Sequence, residues 1–410
     1  MLKKYITTVK GKDRKMLIFS IQGLGKGCVI WDETCLRSRV FGEVIIPELV
    51  KSFDRVIVFA GDASAKRLSS MPTPDGWQKI EKIPWTEVNA VIHMADPHWH
   101  LNQAAIEEMA VKLGIPVFRL EDMPGAVLRR DMNTKKTLPV LDNVHCLVIN
   151  EVSKTIAREG GVVGNRIKIV GLPDFHIPNH GDVEKWQGFI SLWKRKMGLG
   201  EQRLWVYSCT GTGIDVDAEN LEILIKLANQ HQAVLIACTH PKIYLSSAPD
   251  IQGLAADFDK FFDEHGFREL NGGGWDALNR LFYWKHGVRK LVTAVEGCLA
   301  GVPADLLPAD LCWFSNRSGA VINALWGTPA LNLLLPKAQS DLSARHGLSP
   351  RMASDAEPLP LLRSEEEIVS ALDNILDGGP SFDPDRILET LPYTGSASVS
   401  RIVAVVKSKI

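Results

Sequence analysis

The segment Ala309–Pro336, ADLCWFSNRSGAVINALWGTPALNLLLP, limits what this chain can fold into more than any other. An apolar strand at Leu311–Phe314 leads into the polar loop Ser315-Asn316-Arg317-Ser318-Gly319, which opens a helix; Gly327-Thr328-Pro329 closes it, and a second apolar strand follows at Ala330–Leu335. Strand, helix and strand in this order form the building block of a parallel sheet. The loop between strand and helix points backbone N–H groups at one place, where the helix dipole favours an anion. Arg317, Ser318 and Gly319 add a cation, a hydroxyl and a close backbone approach, so a phosphate is expected there.

The same alternation runs through the chain. Strands are predicted at Met16–Ile21, Arg55–Ala60, Ala90–His93, Pro116–Leu120, Cys146–Asn150 and Ile167–Val170, with helices at Glu43–Ser52, Leu101–Leu113 and Glu151–Glu159. Near Leu172 the pattern breaks: Pro173, Pro178, Asn179, His180 and Gly181 crowd together before the basic, Trp-containing stretch Trp186–Lys196. It then resumes with strands at Leu204–Cys209, Ala233–Thr239, Arg289–Ala294, Leu311–Phe314 and Ala330–Leu335, and helices at Ala218–Gln230, Gln252–His265, Trp275–His286 and Gly319–Trp326. Ser364–Leu376 is an amphipathic helix with a capping-box start, and Ser396–Lys409 reads as a last helix or a β-rich tail. The expected organisation is an α/β N-terminal domain over 1–172, a linker over 173–200, a second α/β domain over 201–363 and a helical segment over 364–410 that could return to the N-terminal domain. Two parallel sheets in tandem place the expected site in the cleft between them.

Composition excludes several classes. Lys and Arg (47) balance Asp and Glu (48) across 410 residues, so no global field would hold nucleic acid. The apolar runs are too short to span a bilayer, and the basic N-terminus lacks the apolar core of a signal peptide. Seven cysteines without a CxxC pair fit neither a disulfide framework nor a zinc knuckle, and point to a reducing cytoplasm.

Several loops at predicted strand ends carry candidate chemistry. Ser208-Cys209-Thr210-Gly211-Thr212-Gly213 has the glycines and hydroxyls of an anion nest, yet lacks the GK[ST] of a Walker loop; a tight strand-to-helix turn would use the same residues. Thr239-His240-Pro241-Lys242 closes the next strand, with a surface histidine as the plainer alternative. In the first half, His93-Met94-Ala95-Asp96-Pro97-His98-Trp99-His100 ends a strand with three histidines and one acid. General acid or base work by Asp96 or His98 is favoured over a metal, because no second cluster completes a ligand set; Asp96 as a helix cap is the competing structural role. Glu121-Asp122 is a further acidic pair at a strand end.

Taken in order, the glycine and hydroxyl loop, His-Pro, Ser318-Gly319 and Gly327-Thr328-Pro329 resemble the nucleotide-binding half of two-domain GT-B glycosyltransferases. The layout is similar to that of lipid A disaccharide synthases, heptosyltransferases, teichoic acid glycerophosphotransferases and non-hydrolysing UDP-N-acetylglucosamine 2-epimerases. Ile169-Val170-Gly171-Leu172-Pro173-Asp174-Phe175 looks like the interdomain crossing of such proteins. The resemblance implies two tandem Rossmann-like domains and a metal-independent glycosyltransferase that needs no further cofactor. A nucleotide-diphosphate sugar would be the donor, an unassigned hydroxyl the acceptor, and a homodimer is compatible. It implies donor contacts from Thr210, Gly211, Thr212, His240, Asn316, Arg317, Ser318 and Gly319, with Asn323 standing where relatives carry a ribose-binding carboxylate. Asp96 or His98 would take the acceptor proton. A sugar-nucleotide epimerase or hydrolase, or a binding protein without catalysis, are the alternatives on the same scaffold.

Overall fold

Two units divide the chain: Met1–His176 together with Leu388–Ile410, and Ile177–Ile387. The computed structural model describes residues 4–9, 16–22, 27–33, 36–60, 83–95, 101–121, 125–128, 140–173, 175, 178–196, 198–210, 213–240, 243, 249–269, 281–284, 306–315, 319–346, 359–380, 386–387 and 390–410, some by backbone alone. Along these residues the helices are α1 Leu36–Ser52, α2 Leu101–Lys112, α3 Glu151–Glu159, α4 His180–Lys196, α5 Ile214–Gln230, α6 Pro249–Glu264, α7 Gly319–Leu325, α8 Pro336–His346, α9 Glu365–Leu376 and α10 Gly395–Lys407.

The first unit's sheet contains β1 Lys4–Val9, β2 Met16–Gln22, β3 Cys28–Glu33, β4 Arg55–Ala60, β5 Val88–Met94, β6 Val117–Leu120, β7 Val144–Val148 and β8 Ile167–Ile169, in the order β1-β2-β4-β3-β5-β6-β7-β8. From β4 to β8 all neighbours are parallel, whereas β2 and β1 extend the β4 edge antiparallel. The second sheet contains β9 Leu204–Ser208, β10 Val234–Cys238, β11 Phe267–Glu269, β12 Leu281–Trp284, β13 Leu311–Ser315, β14 Ala330–Leu333 and β15 Leu361–Leu362, in the order β11-β12-β10-β9-β13-β14-β15. Its core from β10 to β15 is parallel, and β12 and β11 again add an antiparallel pair beyond the second-laid parallel strand. Both units thus share one plan, a two-one-three strand order with an antiparallel extension on the same side. Their α/β, Rossmann-like class is the one the alternation implies.

The parallel strands are mostly apolar because both faces are covered: β6, β9, β10, β13 and β14 are buried at every position, with Arg119, Ser208, Ser315 and Asn332 as their buried polar members. In the second unit Trp205 and Trp313 meet edge to face at 5.6 Å on adjacent strands, and α5 lays Leu221, Leu224, Leu227 and Ala228 against that layer. The helix expected over Trp275–His286 is corrected at its described part. Leu281–Trp284 is β12, paired antiparallel with β10, and Phe282 stacks on Phe262 of α6 at 4.1 Å. A short aromatic run suits either period, and pairing with β10 on one side and β11 on the other decides for the strand. The predicted strand Arg289–Ala294 lies outside the described residues. β1 and β3 were not anticipated, and the antiparallel pairs modify the all-parallel expectation.

The end of the chain is helical, not β-rich. α10 buries Val399, Ile402, Val403 and Val406, and it packs with α1 in the first unit. Its approach is tied to the segment after β8: Leu172 N–H donates to Tyr393 O at 3.0 Å, Gly395 N–H to Leu172 O at 3.2 Å, and Arg401 Nε to Ile169 O at 2.7 Å. Gly171 is required at this crossing. Its φ is +79°, and a Cβ there would lie 1.8 Å from Tyr393 O.

Candidate functional site

In the second unit the chain order reverses at β9, which lies between the second-laid β10 and the third-laid β13. Ligands of open parallel sheets bind outside the C-terminal strand ends at such a switch point. Ser208 is in register with both Cys238 and Phe314, so the next residues, Cys209, Thr239 and Ser315, form one row across three strands. Cys209 N–H donates to Cys238 O at 2.9 Å within it. One residue further stand Thr210 and His240, both half-buried, so the structure brings these two predicted residues to one sheet edge.

The loop leaving β9 is held by an acid that the sequence reading passed over. Asp217, in the first turn of α5 and fully buried, accepts the Thr210 N–H at 2.8 Å and the Thr210 hydroxyl at 2.9 Å. It also accepts the Tyr207 hydroxyl at 2.6 Å, while Asn220 Nδ2 donates to that same hydroxyl at 2.9 Å. Burial, reinforced by Asp217, pushes the Tyr207 phenol well above its usual range, so it stays a neutral donor. The helix that begins here is not capped by a side chain: Gly213 is the N-cap with extended backbone and makes no side-chain cap bond. The first turn of α5 thus follows a glycine at the end of a strand exit that Asp217 holds at Thr210. An acid four residues into a helix ordinarily reads as dipole chemistry, and only its reach back to Tyr207 and Thr210 identifies Asp217 as a brace.

The remaining predicted residues separate into three groups. Asp96, His98, Gly211, Thr212, Asn316, Arg317 and Ser318 lie outside the described residues. Gly319 begins α7 and is buried; a Cβ there would stand 2.8 Å from Cε1 of Phe314, so packing against β13 already demands glycine. Asn323, the residue expected beside a ribose, holds α7 in place. It is fully buried; Oδ1 accepts the Leu307 N–H at 2.9 Å and Nδ2 donates to Gly319 O at 2.8 Å. Its amide binds α7 to the segment before β13, with the Cys312 thiol 3.5 Å from the same oxygen.

The Gly-Thr-Pro stop also has a structural occupant. Trp186 Nε1 donates to Thr328 Oγ1 at 3.1 Å and Gln187 Nε2 to Gly327 O at 2.8 Å, fastening α4 to the turn after α7. In the first unit Glu121 is no open acid at a strand mouth. It is buried and accepts the N–H groups of Gly125 at 2.7 Å and Ile149 at 3.0 Å. Among the described residues no three His, Cys, Asp or Glu side chains converge as metal ligands. No described helix is long and apolar enough to cross a membrane.

No protein-family model matches this sequence, and no curated protein is similar to it at significance. Solved structures share its fold. UDP-GlcNAc 2-epimerase from Methanocaldococcus jannaschii superposes with a TM-score of 0.50 at 14% identity, over 93% of this chain and 100% of that one. A variant of the wall teichoic acid polymerase TagF gives 0.44 at 12% identity, over 94% and 89%. The lipopolysaccharide outer core galactosyltransferase WaaB in its apo form gives 0.40 at 10% identity, over 94% and 100%. At 14% identity the superposition on the epimerase is a likeness of fold alone, two tandem Rossmann-like domains of the GT-B class.

Proposed function

We propose that this GT-B-fold chain binds a nucleoside-diphosphate sugar on its second unit and transfers the glycosyl group to an acceptor hydroxyl. The observation that carries the reading is the strand exit at Thr210, which Asp217 holds at the switch-point strand just before the start of α5, whose N-cap is Gly213. In this reading the N–H groups of the Gly211–Gly213 loop and the first turn of α5 receive the diphosphate, with His240 beside the nucleotide. Arg317 and Ser318 add charge and a hydroxyl as the diphosphate departs. The acceptor oxygen attacks the anomeric carbon, the bond to the diphosphate oxygen breaks with its electron pair, and Asp96 or His98 takes the acceptor proton. Gly319 and Asn323 serve the packing of α7 in this scheme.

Calorimetry with UDP, GDP, ADP and CDP tests it. One nucleotide should bind, and Arg317→Ala should weaken it at least tenfold with the melting temperature little changed; no binding by any of the four overturns the reading. A second reading, sugar-nucleotide epimerisation, is favoured by the full-length fold likeness to an enzyme named for that reaction. Incubation with donor and no acceptor separates the two, since an epimerase alters the sugar whereas a transferase leaves it intact. Binding without either conversion would favour the non-catalytic alternative.

A further inference from the structure

The last residue of β13 carries a polar group that the fold leaves unused. Ser315 is 4% exposed, and its hydroxyl has no hydrogen-bond partner among the described residues. A hydroxyl taken out of water and left unpaired costs stability, so a small apolar residue would serve the packing of β13 better. Buried polar groups in folded proteins are ordinarily paired, and one that is not calls for a reason.

The direction of the hydroxyl follows from the strand. Successive side chains alternate, and Leu311 and Trp313 lie in the layer that α5 covers with Leu221 and Leu224; Ser315, two residues on, shares their face. The pairing of Phe314 with Ser208 sets Ser315 beside Cys209, which belongs to the same layer. On this face Trp205 Nε1, Trp313 Nε1 and Asn220 Oδ1 also lack partners. The two tryptophans stand before the strand ends, and Asn220 is engaged with Tyr207 through its other amide atom. Of the four, Ser315 is the one at the C-terminal strand edge, where open parallel sheets receive ligands.

The start of α5 flanks the same exit. Asp217 in its first turn holds Thr210, the residue after Cys209, and the N-cap Gly213 makes no side-chain cap bond. The φ of Gly213 is −179°, extended backbone open to any residue, and a Cβ there would meet no described atom within 4 Å. Serine, threonine, asparagine and aspartate are the stronger caps, so conformation, packing and capping all leave glycine unexplained. What glycine provides is a bare backbone at the positive end of a 17-residue helix. Of the acids in that turn, Asp217 is turned back to Tyr207 and Thr210, and the charge of Asp215 is exposed to solvent, which screens it. A hydroxyl able to donate and a helix start, side by side at one strand exit, suit an oxyanion.

We propose that Ser315 is a binding residue whose hydroxyl, together with the Gly213 start of α5, holds a phosphate group of the ligand. That this phosphate belongs to a nucleotide-sugar diphosphate rests on the reading above; the anion site itself does not. Calorimetry with inorganic pyrophosphate, and with the nucleoside diphosphate that binds, tests it beside thermal unfolding. The wild type should bind pyrophosphate. Ser315→Ala should weaken pyrophosphate and nucleotide by the same factor, about tenfold, while the melting temperature holds or rises. Gly213→Ser gives α5 a cap that competes for its first N–H groups, so it should raise the melting temperature and weaken both ligands. A merely structural hydroxyl would lower stability when removed and leave affinity alone. The proposal is overturned if the wild type binds no pyrophosphate, if Ser315→Ala keeps its pyrophosphate affinity, or if melting temperature and affinity fall together in that variant. Pyrophosphate binding that Ser315→Ala weakens, with none of UDP, GDP, ADP and CDP bound by the wild type, would uphold the site and remove the glycosyl-transfer reading.

Discussion

Asp217 accepts both the backbone N–H and the hydroxyl of Thr210, at 2.8 and 2.9 Å, from the first turn of the helix that the Thr210 loop introduces. Strand end, loop and helix start are closed into one ring of hydrogen bonds. Asp217→Asn offers a single acceptor oxygen for three donors, and should cost about 1–3 kcal/mol of stability. If the ring organises a ligand loop, nucleotide affinity should fall about tenfold as well. Denaturant unfolding and calorimetry on the same protein check both; a stability loss with unaltered affinity would detach Asp217 from binding.

Gly319→Ala separates packing from ligand contact. The added methyl would stand 2.8 Å from the Phe314 ring, which must yield or displace α7. A loss of about 1–3 kcal/mol is expected, the usual cost of overfilling a packed site. Affinity of the folded fraction for nucleotide should remain within twofold, as titration at low temperature would show.

Gly171→Ala attacks the crossing near Tyr393. Its methyl would lie 1.8 Å from a backbone carbonyl, at a φ of +79° that already costs a residue with a side chain about 1–2 kcal/mol. The variant should lose more than that φ cost, and exchange of amide hydrogens in Gly395–Lys407 should accelerate. Unchanged exchange there would show that the crossing does not secure α10.

His145 supplies a pH test. Burial, then Lys409, Arg166 and Lys168, lower its value from 6.5 to about 4, so the folded protein keeps the ring neutral while the unfolded chain protonates first. The linked stability is complete above about pH 6.5, declines as the pH falls, and is lost once it passes about 4. His145→Phe should preserve the stacking on Phe118, now 5.2 Å between ring centres, and remove this slope. Because the ring is only half-buried, the difference between the two proteins should change by roughly 1–2 kcal/mol between pH 7 and pH 4. Parallel curves would refute the assignment.

Much of the fold was legible in the chain because periodicity survives wherever burial is one-sided or complete. Leu204–Cys209 and Leu311–Phe314 were placed within one residue of the observed strands, and Glu151–Glu159 matches α3, whose cap Asn150 accepts the Ser153 N–H. Leu281–Trp284 is misread from sequence because its conformation is decided by pairing with β10 and β11, not by its own residues. The site was less legible for a similar reason. Asn323 looks available beside a Ser-Gly turn, yet Leu307 and Cys312 consume its amide from elsewhere in the chain. Asp217 draws its meaning from contacts to Tyr207 and Thr210 that no spacing rule reports.

The return of α10 to α1 has a consequence for the order of folding during synthesis. The first unit takes residues from both Met1–His176 and Leu388–Ile410, so all of the second unit is translated before the first has its last helix. Until then the α1 surface that α10 covers is exposed on a nascent chain. Domains ordinarily mature from the N-terminus onward. Here the second unit has its full sequence first, and the first unit waits for α10 to close.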